Sequence, residues 1–277
     1  VTPERVESAA DGRLAAYRWV AQPAELLRRG LFVAEGRLVV ERLLVEPRFE
    51  IESLLVSQST LAALEPFLTQ RRLLAPVYVC PPQLVLELTG HDFHRGCLGL
   101  VRRPAPTPWT DVVAEARSLL VLEGVANPDN VGGVFRNAAA FGASGVLLDP
   151  RCGDPFYRKA IRTSVAATLR VPFATLGAGA LPWPECLAEL TAYGFELVAL
   201  TPGAGARDLE EFALAHGRGE RLALLLGAEG PGLSERALEL ARHRVRIAIH
   251  PEVDSLNLSV ACGIALQRLC GFGIGLG

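Results

Sequence analysis

Lysine is all but missing from this chain. Lys159 is the only one, and the other 27 of the 28 basic residues are arginine. A biased codon composition produces the same skew, but it suits phosphate recognition, because a guanidinium fork contacts two oxygens where an ammonium is a point charge. A global excess of positive charge is also absent. The net charge is −2, with 13 basic and 12 acidic residues over 1–106 and 15 and 18 over 107–277. Any nucleic-acid-binding surface is therefore a local patch and not a field over the whole molecule. Aromatics are few, at 6%, while half of the residues are hydrophobic, enough for a sizeable core. The six cysteines include no C-x-x-C pair and no histidine at zinc-finger spacing, which leaves buried reduced thiols and no metal site as the expectation. No secretory leader is recognisable. The apolar tail from Leu256 to Gly277 is interrupted by Asn257, Ser259, Gln267 and Arg268, which excludes a membrane span and leaves a buried helix. The expectation is a cytoplasmic protein.

Two hundred and seventy-seven residues suggest two domains, or one large one. Three prolines in Pro104-Ala105-Pro106-Thr107-Pro108 make a stiff, extended connection and place the boundary there. Before it, a flexible start leads to a first helix. Leu31 to Gly36 leads into a helix ending near Val45. Strands are expected over 51–57, 77–80 and 97–101, with helices over 60–67 and after Pro81-Pro82. This is a small α/β sandwich. From Trp109 onward, strands are expected over 118–123, 145–149, 171–175, 195–200, 222–226 and 245–249. Helices are expected near 131–142, 156–167, 184–193, 208–215, 234–241 and 257–270. The alternation predicts a parallel sheet with helices on both faces. The first βα turn lacks G-x-G-x-x-G, which argues against a Rossmann-type oxidoreductase.

Three strand-loop-helix units carry polar residues at the same end, where open α/β sheets place their active sites. The first, LLVLEGVANPDNVGGVFRN over 119–137, runs from a buried strand through a turn into a helix, with Asn130 as its expected N-cap. Gly132 and Gly133 clear the first helical turn for close approach, and Arg136 lies near the mouth of the strand. The second, LLLGAEGPGL over 224–233, is a strand entering a glycine-rich turn with one acid, Glu229. The third, VRIAIHPEVDSLNLSVAC over 245–262, opens an apolar helix with Ser255 and Asn257.

NPDNVGGVFRNA, LGAEGPGLS and SLNLSVA resemble, in order and spacing, the three motifs of the SpoU (TrmH) family of RNA ribose 2′-O-methyltransferases. The resemblance implies a SPOUT-type catalytic domain over 109–277 with a C-terminal trefoil knot, a feature that no pattern of composition or spacing reveals. It implies S-adenosylmethionine as cofactor, held by backbone groups of three loops at Thr201, Gly203, Leu226, Gly227 and Gly230, with Ile249, Leu256 and Leu258 as apolar walls. Asn130, Arg136, Glu229, Ser255 and Asn257 match the family's site positions. Arg136 is the family's motif-one arginine, often assigned as activating the 2′-hydroxyl. A guanidinium stays protonated, which favours binding the phosphate beside the target ribose over acting as base. Asn130 is expected to fix the loop and Arg136, and Glu229 to hold Arg136 or Asn257. AIRTSVAAT over 160–168 is similar to the family's R-x-S-x-G-A segment, with Ala166 at the glycine position.

Residues 1–105 resemble, through FVAEG and HDFHRG, the L30e-like domain that binds RNA substrate in many members. There His91, His94 and Arg95 either contact RNA or form a polar turn. Arg71-Arg72 and Arg102-Arg103 either bind phosphate or lie on a solvated surface. The front domain favours ribosomal over transfer RNA as substrate. A homodimer is expected, both from the family and because the final helix is apolar on nearly every face. The competing reading of another class is a catalytically silent RNA-binding protein that kept the fold.

Overall fold

A computed structural model describes residues 2–90, 96–177, 179, 181–203, 205–216 and 220–269. The chain separates into two compact units. One comprises Val1–Ala105 with Phe156–Leu169, the other Pro106–Pro155 with Arg170–Gly277.

The first unit holds five strands: β1 (Glu4–Arg5), β2 (Leu31–Glu35), β3 (Ile51–Val56), β4 (Val77–Val79) and β5 (Cys97–Arg102), in the order β1-β4-β3-β5-β2. β1, β4 and β3 run parallel, and β5 runs antiparallel to both β3 and β2. Two of these strands differ from expectation. Leu31–Glu35 is a full strand, buried at every position, because it pairs residue for residue with β5. The opening segment contributes β1, followed by a 3-10 helix over Gly12–Ala21. Arg71 is no surface residue for phosphate. Its guanidinium donates to the carbonyls of Leu43, Leu44, Glu46 and Phe49, closing the end of the Arg37–Val45 helix. Arg102 is paired with Glu50 and Glu52. His91, His94 and Arg95 lie outside the described residues.

The stretch Phe156–Leu169 belongs with this unit, although its place in the sequence is among the later strands. Phe156 stacks on Phe32 at 4.9 Å and meets Phe49 edge-on at 5.9 Å. Arg158 and Arg162 both reach the buried carboxylate of Glu35, at 3.1 and 3.2 Å. Its helix, Arg158–Thr163, is shorter than expected, because Val165 and Ala166 take φ values of 51° and 65°. Side chains other than glycine resist this left-handed region, so Ala166 holds a conformation that glycine would adopt without strain.

The second unit is a seven-stranded sheet, parallel throughout: β6 (Ser118–Glu123), β7 (Gly145–Leu148), β8 (Phe173–Thr175), β9 (Phe195–Leu200), β10 (Arg207–Asp208), β11 (Arg221–Gly227) and β12 (His243–Arg246). The order is β10-β12-β9-β11-β6-β7-β8. The central strands β6 and β11 are continuous apolar runs, as strands covered on both faces must be. The last strand was expected over 245–249 and lies at His243–Arg246. Its neighbours end level with it, Val245 opposite Leu200 and Arg246 opposite Asp208, so Ile247 and Ile249 have no strand to pair with and continue as loop. The Pro128–Phe141 helix begins earlier than expected. Asn127, not Asn130, is its N-cap, with Oδ1 accepting the Asp129 N–H at 2.9 Å and Pro128 in the first helical position. Among the described residues no helix is long and apolar enough to cross a membrane.

Candidate active site

Parallel strands leave all their C-terminal ends on one edge, and the polar loops gather there. β11 runs into the loop Gly227–Gly232, which folds back so that the Gly232 N–H donates to the Ala228 carbonyl at 3.0 Å. The fold-back brings backbone onto backbone. A Cβ on Gly227 would lie 2.1 Å from the Gly232 carbonyl carbon, so only glycine fits. Gly230 and Gly232, with φ of 88° and 71°, supply the reversal. Beneath the turn, the buried carboxylate of Glu123, at the end of β6, accepts the Ser234 N–H at 2.9 Å and the Trp183 indole N–H at 2.7 Å. Ser234 caps the Glu235–Leu240 helix, so one carboxylate fixes the end of the loop.

This loop borders a cavity of about 410 Å³, a size suited to a small cofactor, for which about 300–1,000 Å³ is usual. Of the residues expected to hold cofactor, Thr201, Leu226, Gly227, Gly230, Ile249, Leu256 and Leu258 line it. Gly203 does not, and its N–H donates to Thr201 Oγ1 at 3.2 Å. Leu200, Pro202, Ala228, Ile247, Asp254 and Ala261 also line it and were not anticipated from the sequence. Each lies within three residues of an expected site position, and that proximity was the available signal.

Asn257 joins the three motif loops. Its side-chain amide donates to Asn130 Oδ1 at 3.0 Å and to Glu229 Oε1 at 2.9 Å, while its own Oδ1 accepts the Ser259 N–H at 3.0 Å and the Ser259 hydroxyl at 2.7 Å. The side chain therefore ties motifs one and two with its donors and caps the terminal helix, Leu258–Leu269, with its acceptor. Of the two partners expected for Glu229, it holds Asn257, whereas Asn130 holds Asn257 in place of the expected Arg136. Arg136 is exposed on the Pro128–Phe141 helix and makes no hydrogen bond or ion pair with any described residue. Ser255 lines the cavity with its hydroxyl likewise unengaged among the described residues. Nor does Gly133 make room for a ligand. Ser259 of the terminal helix sits against it, where a Cβ would meet the Ser259 Cβ at 2.5 Å, and Asn137 donates to the Ser259 carbonyl.

Asn257→Asp tests this tie. Aspartate still caps a helix, but it has no N–H to donate and sets a carboxylate against Glu229. Turnover should fall by roughly a hundredfold or more with an unchanged far-ultraviolet circular dichroism spectrum. Near-normal turnover would remove the tie from the working parts of the site.

Two other polar groups lie apart from the cavity. Asp149, after β7, accepts the Gly124 N–H at 3.0 Å and pairs with Arg151 at 2.8 Å, so it serves the loop. Glu196, His216 and Glu220 bring ligand atoms within 4.8 Å of one another, a grouping that cysteine and histidine spacing did not reveal. They lie toward the start of β9, at the opposite edge of the sheet, and are already paired, His216 with Glu220 at 3.3 Å and His243 with Glu196 at 3.2 Å. Cys80, Cys97, Cys152, Cys186 and Cys262 are free thiols. Burial pushes those of Cys80 and Cys186 up to about 11 and that of Cys152 up to about 12, which keeps them protonated.

The model of the SpoU rRNA Methylase family matches residues 117–267, more than half of the chain and all three motif loops. The chain belongs to the SpoU rRNA methylase family. Membership makes it a SpoU-type RNA methyltransferase. An uncharacterised tRNA/rRNA methyltransferase of Mycobacterium bovis is 40% identical over 240 residues, covering 87% of this chain and 81% of that protein. A 23S rRNA (adenosine(1067)-2′-O)-methyltransferase of Streptomyces azureus is 29% identical over 194 residues, 70% of this chain and 69% of that one. An AdoMet-bound rRNA methyltransferase from Sinorhizobium meliloti superposes with a TM-score of 0.78 at 23% identity, over 96% of this chain and 97% of that one, and shares its fold. In this SpoU chain, Arg136, Glu229 and Asn257 all lie within the matched span, and Asn257 ties Glu229 to Asn130 at the C-terminal edge of the sheet.

Proposed function

We propose that this protein transfers a methyl group from S-adenosylmethionine to a ribose 2′-hydroxyl of RNA, with ribosomal RNA as the substrate. The observation that carries the reading is the cavity roofed by the Gly227–Gly232 turn, whose lining residue Glu229 is tied by Asn257 to Asn130 so that the three loops are joined beside it. Its lining fits the cofactor. Leu226, Ile249, Leu256 and Leu258 offer apolar walls for an adenine, and the folded-back turn offers backbone polar groups with no side chain in the way. When bound, S-adenosylmethionine supplies an electrophilic methyl on a sulfonium. Held by the residues lining the cavity, it would supply that methyl to the ribose oxygen, with the oxygen–carbon bond forming as the carbon–sulfur bond broke and the hydroxyl proton released to solvent. The protein's part is alignment. Arg136, exposed and unpaired among the described residues, holds the phosphate beside the target ribose and stabilises the developing alkoxide, a role its permanent charge permits and proton abstraction does not. The 2′-O specificity draws support from the Streptomyces azureus relative.

The remaining assignments belong to the same proposal. Residues 1–105, with the stretch 156–169 that packs with them, form an L30e-like domain that docks the RNA, and the rest of 109–277 forms the SPOUT catalytic domain, with its C-terminal segment threaded as a trefoil knot beside the cavity. The protein works in the cytoplasm as a homodimer. Val260 and Ile264, exposed by 50% and 37% one turn apart on the terminal helix, support a subunit contact there, whereas Leu266 is buried within its own unit. Incubation of the protein with S-adenosylmethionine and RNA, followed by nucleoside mass analysis, should yield a 2′-O-methylated nucleoside. A methylated base would overturn the reading.

Arg136→Ala should lower turnover by about 10²–10³-fold while leaving cofactor affinity within about twofold, since Arg136 does not line the cavity. Arg136→Lys should recover little, because a point charge does not replace the fork. Wild-type-like rates in the lysine variant would exclude the positioning role.

A further inference from the structure

The cavity has a one-signed charge. Glu229 and Asp254 line it, and among the described residues the lining contains no lysine, arginine or histidine. Its other side chains are apolar except for the hydroxyls of Thr201 and Ser255. Both carboxylates are exposed at the mouth. Glu229 has one oxygen committed to Asn257 and makes no ion pair with a described residue. Two negative charges beside an apolar wall are a poor design for a neutral ligand, because carboxylates at a cavity mouth gain nothing from it and lose hydration when it binds. They suit a ligand that arrives with a positive charge and leaves without one.

We propose that Asp254 is a specificity-determining residue that reads the charge on the cofactor's sulfur, favouring the sulfonium donor over the thioether product. The proposal rests on the S-adenosylmethionine reading above. Transfer forms the oxygen–carbon bond, breaks the carbon–sulfur bond, returns the bonding pair to sulfur and releases the hydroxyl proton. S-adenosylmethionine is a net monocation and S-adenosylhomocysteine is neutral overall. The attraction to Asp254 is therefore present before the reaction and weakened after it, which speeds product release and limits product inhibition. Glu229 contributes to the same field, but its hold on Asn257 makes it unsuitable for a clean substitution. Asp254 lies three residues before Asn257 in the loop leading to the terminal helix, where a carboxylate is not required for the tie.

The experiment is calorimetric titration of the full chain with S-adenosylmethionine and with S-adenosylhomocysteine, for the wild type, Asp254→Asn and Asp254→Glu. For a unit charge several ångströms from a partly solvated carboxylate, the preference of the wild type for the sulfonium should drop by about five- to tenfold in Asp254→Asn. Asp254→Glu, which keeps the charge, should retain it. The wild-type preference should also shrink as salt is raised, since the carboxylate lies at an exposed mouth. If Asp254→Asn weakens both ligands equally, the residue contacts a group common to both, such as the amine, and the proposal fails. An unchanged ratio in Asp254→Asn overturns it as well. Failure of the wild type to bind either ligand would instead remove the cofactor reading on which the proposal stands.

Discussion

Gly227→Ala should abolish cofactor binding and destabilise the second unit. The added methyl carbon would have to occupy space 2.1 Å from the Gly232 carbonyl carbon, 2.4 Å from its oxygen and 2.3 Å from the Leu233 nitrogen. All three are backbone atoms, so no rotamer change relieves the clash. The Ala228–Gly232 bridge would have to open. Overpacking of this kind costs about 1–3 kcal/mol even where side chains can give way, and here the obstacle is main chain. The loop would move off the cavity and carry Glu229 away from Asn257. A thermal melt should fall by several degrees, and titration with S-adenosylmethionine should give no heat of binding. Binding within a few fold of the wild type would mean that the turn is not the roof of the cofactor site. Gly230→Ala makes a useful contrast. It has open space around its Cβ but a φ of 88°, so it should cost backbone strain of order 1–2 kcal/mol and weaken binding without abolishing it.

The second large effect concerns truncation. A fragment starting at Pro108 should fail to fold cooperatively. The proline-rich connection at 104–108 invites a cut there, and every residue lining the cavity lies beyond it. The stretch Phe156–Leu169, however, packs with the first unit. Removing residues 1–107 would strip the partners from Phe156, Ile161 and Leu169, all buried in the whole chain. It would also take Glu35 from Arg158 and Arg162. Exposing three large apolar side chains, at about 1.5–3 kcal/mol each, is comparable with the whole stability of an ordinary domain, about 5–15 kcal/mol. The fragment should bind a hydrophobic dye, elute as aggregate and show no sharp melt. A monodisperse fragment with a melting temperature near that of the full chain would contradict the packing of 156–169.

The parallel sheet, its strand positions and the three motif loops were readable because each is a local pattern: an apolar run, a turn, a helix. Six of the seven strands of the second unit fall within a few residues of the expected places. What was not readable depends on partners distant in sequence. Leu31–Glu35 has the composition of a strand, but only β5, some sixty-five residues on, makes it one. Ile247 and Ile249 have that composition too and are loop, because no neighbour extends far enough. Asn127 and Asn130 are equivalent as caps on paper, and Pro128 between them decides for Asn127. In the site, the motif residues were identifiable by type. The pairing of Asn257 with Asn130 and Glu229, the carboxylate of Glu123 under the turn, and the acid at position 254 emerged only when the chain closed on itself.

The tie made by Asn257 spans 127 residues to Asn130 and 28 to Glu229. Contacts so far apart in the chain close late in folding, since the intervening segments must first be ordered. No stretch of the second unit shorter than that span contains all three loops. A partly folded chain therefore presents no cofactor site, and a ligand that binds only the finished form stabilises it by RT ln(1 + [L]/Kd), about 2.7 kcal/mol at a hundredfold excess over Kd. Cellular cofactor supply thus acts on this protein as a folding ligand as well as a reactant, and starvation for it would shorten the protein's lifetime as well as slow its turnover.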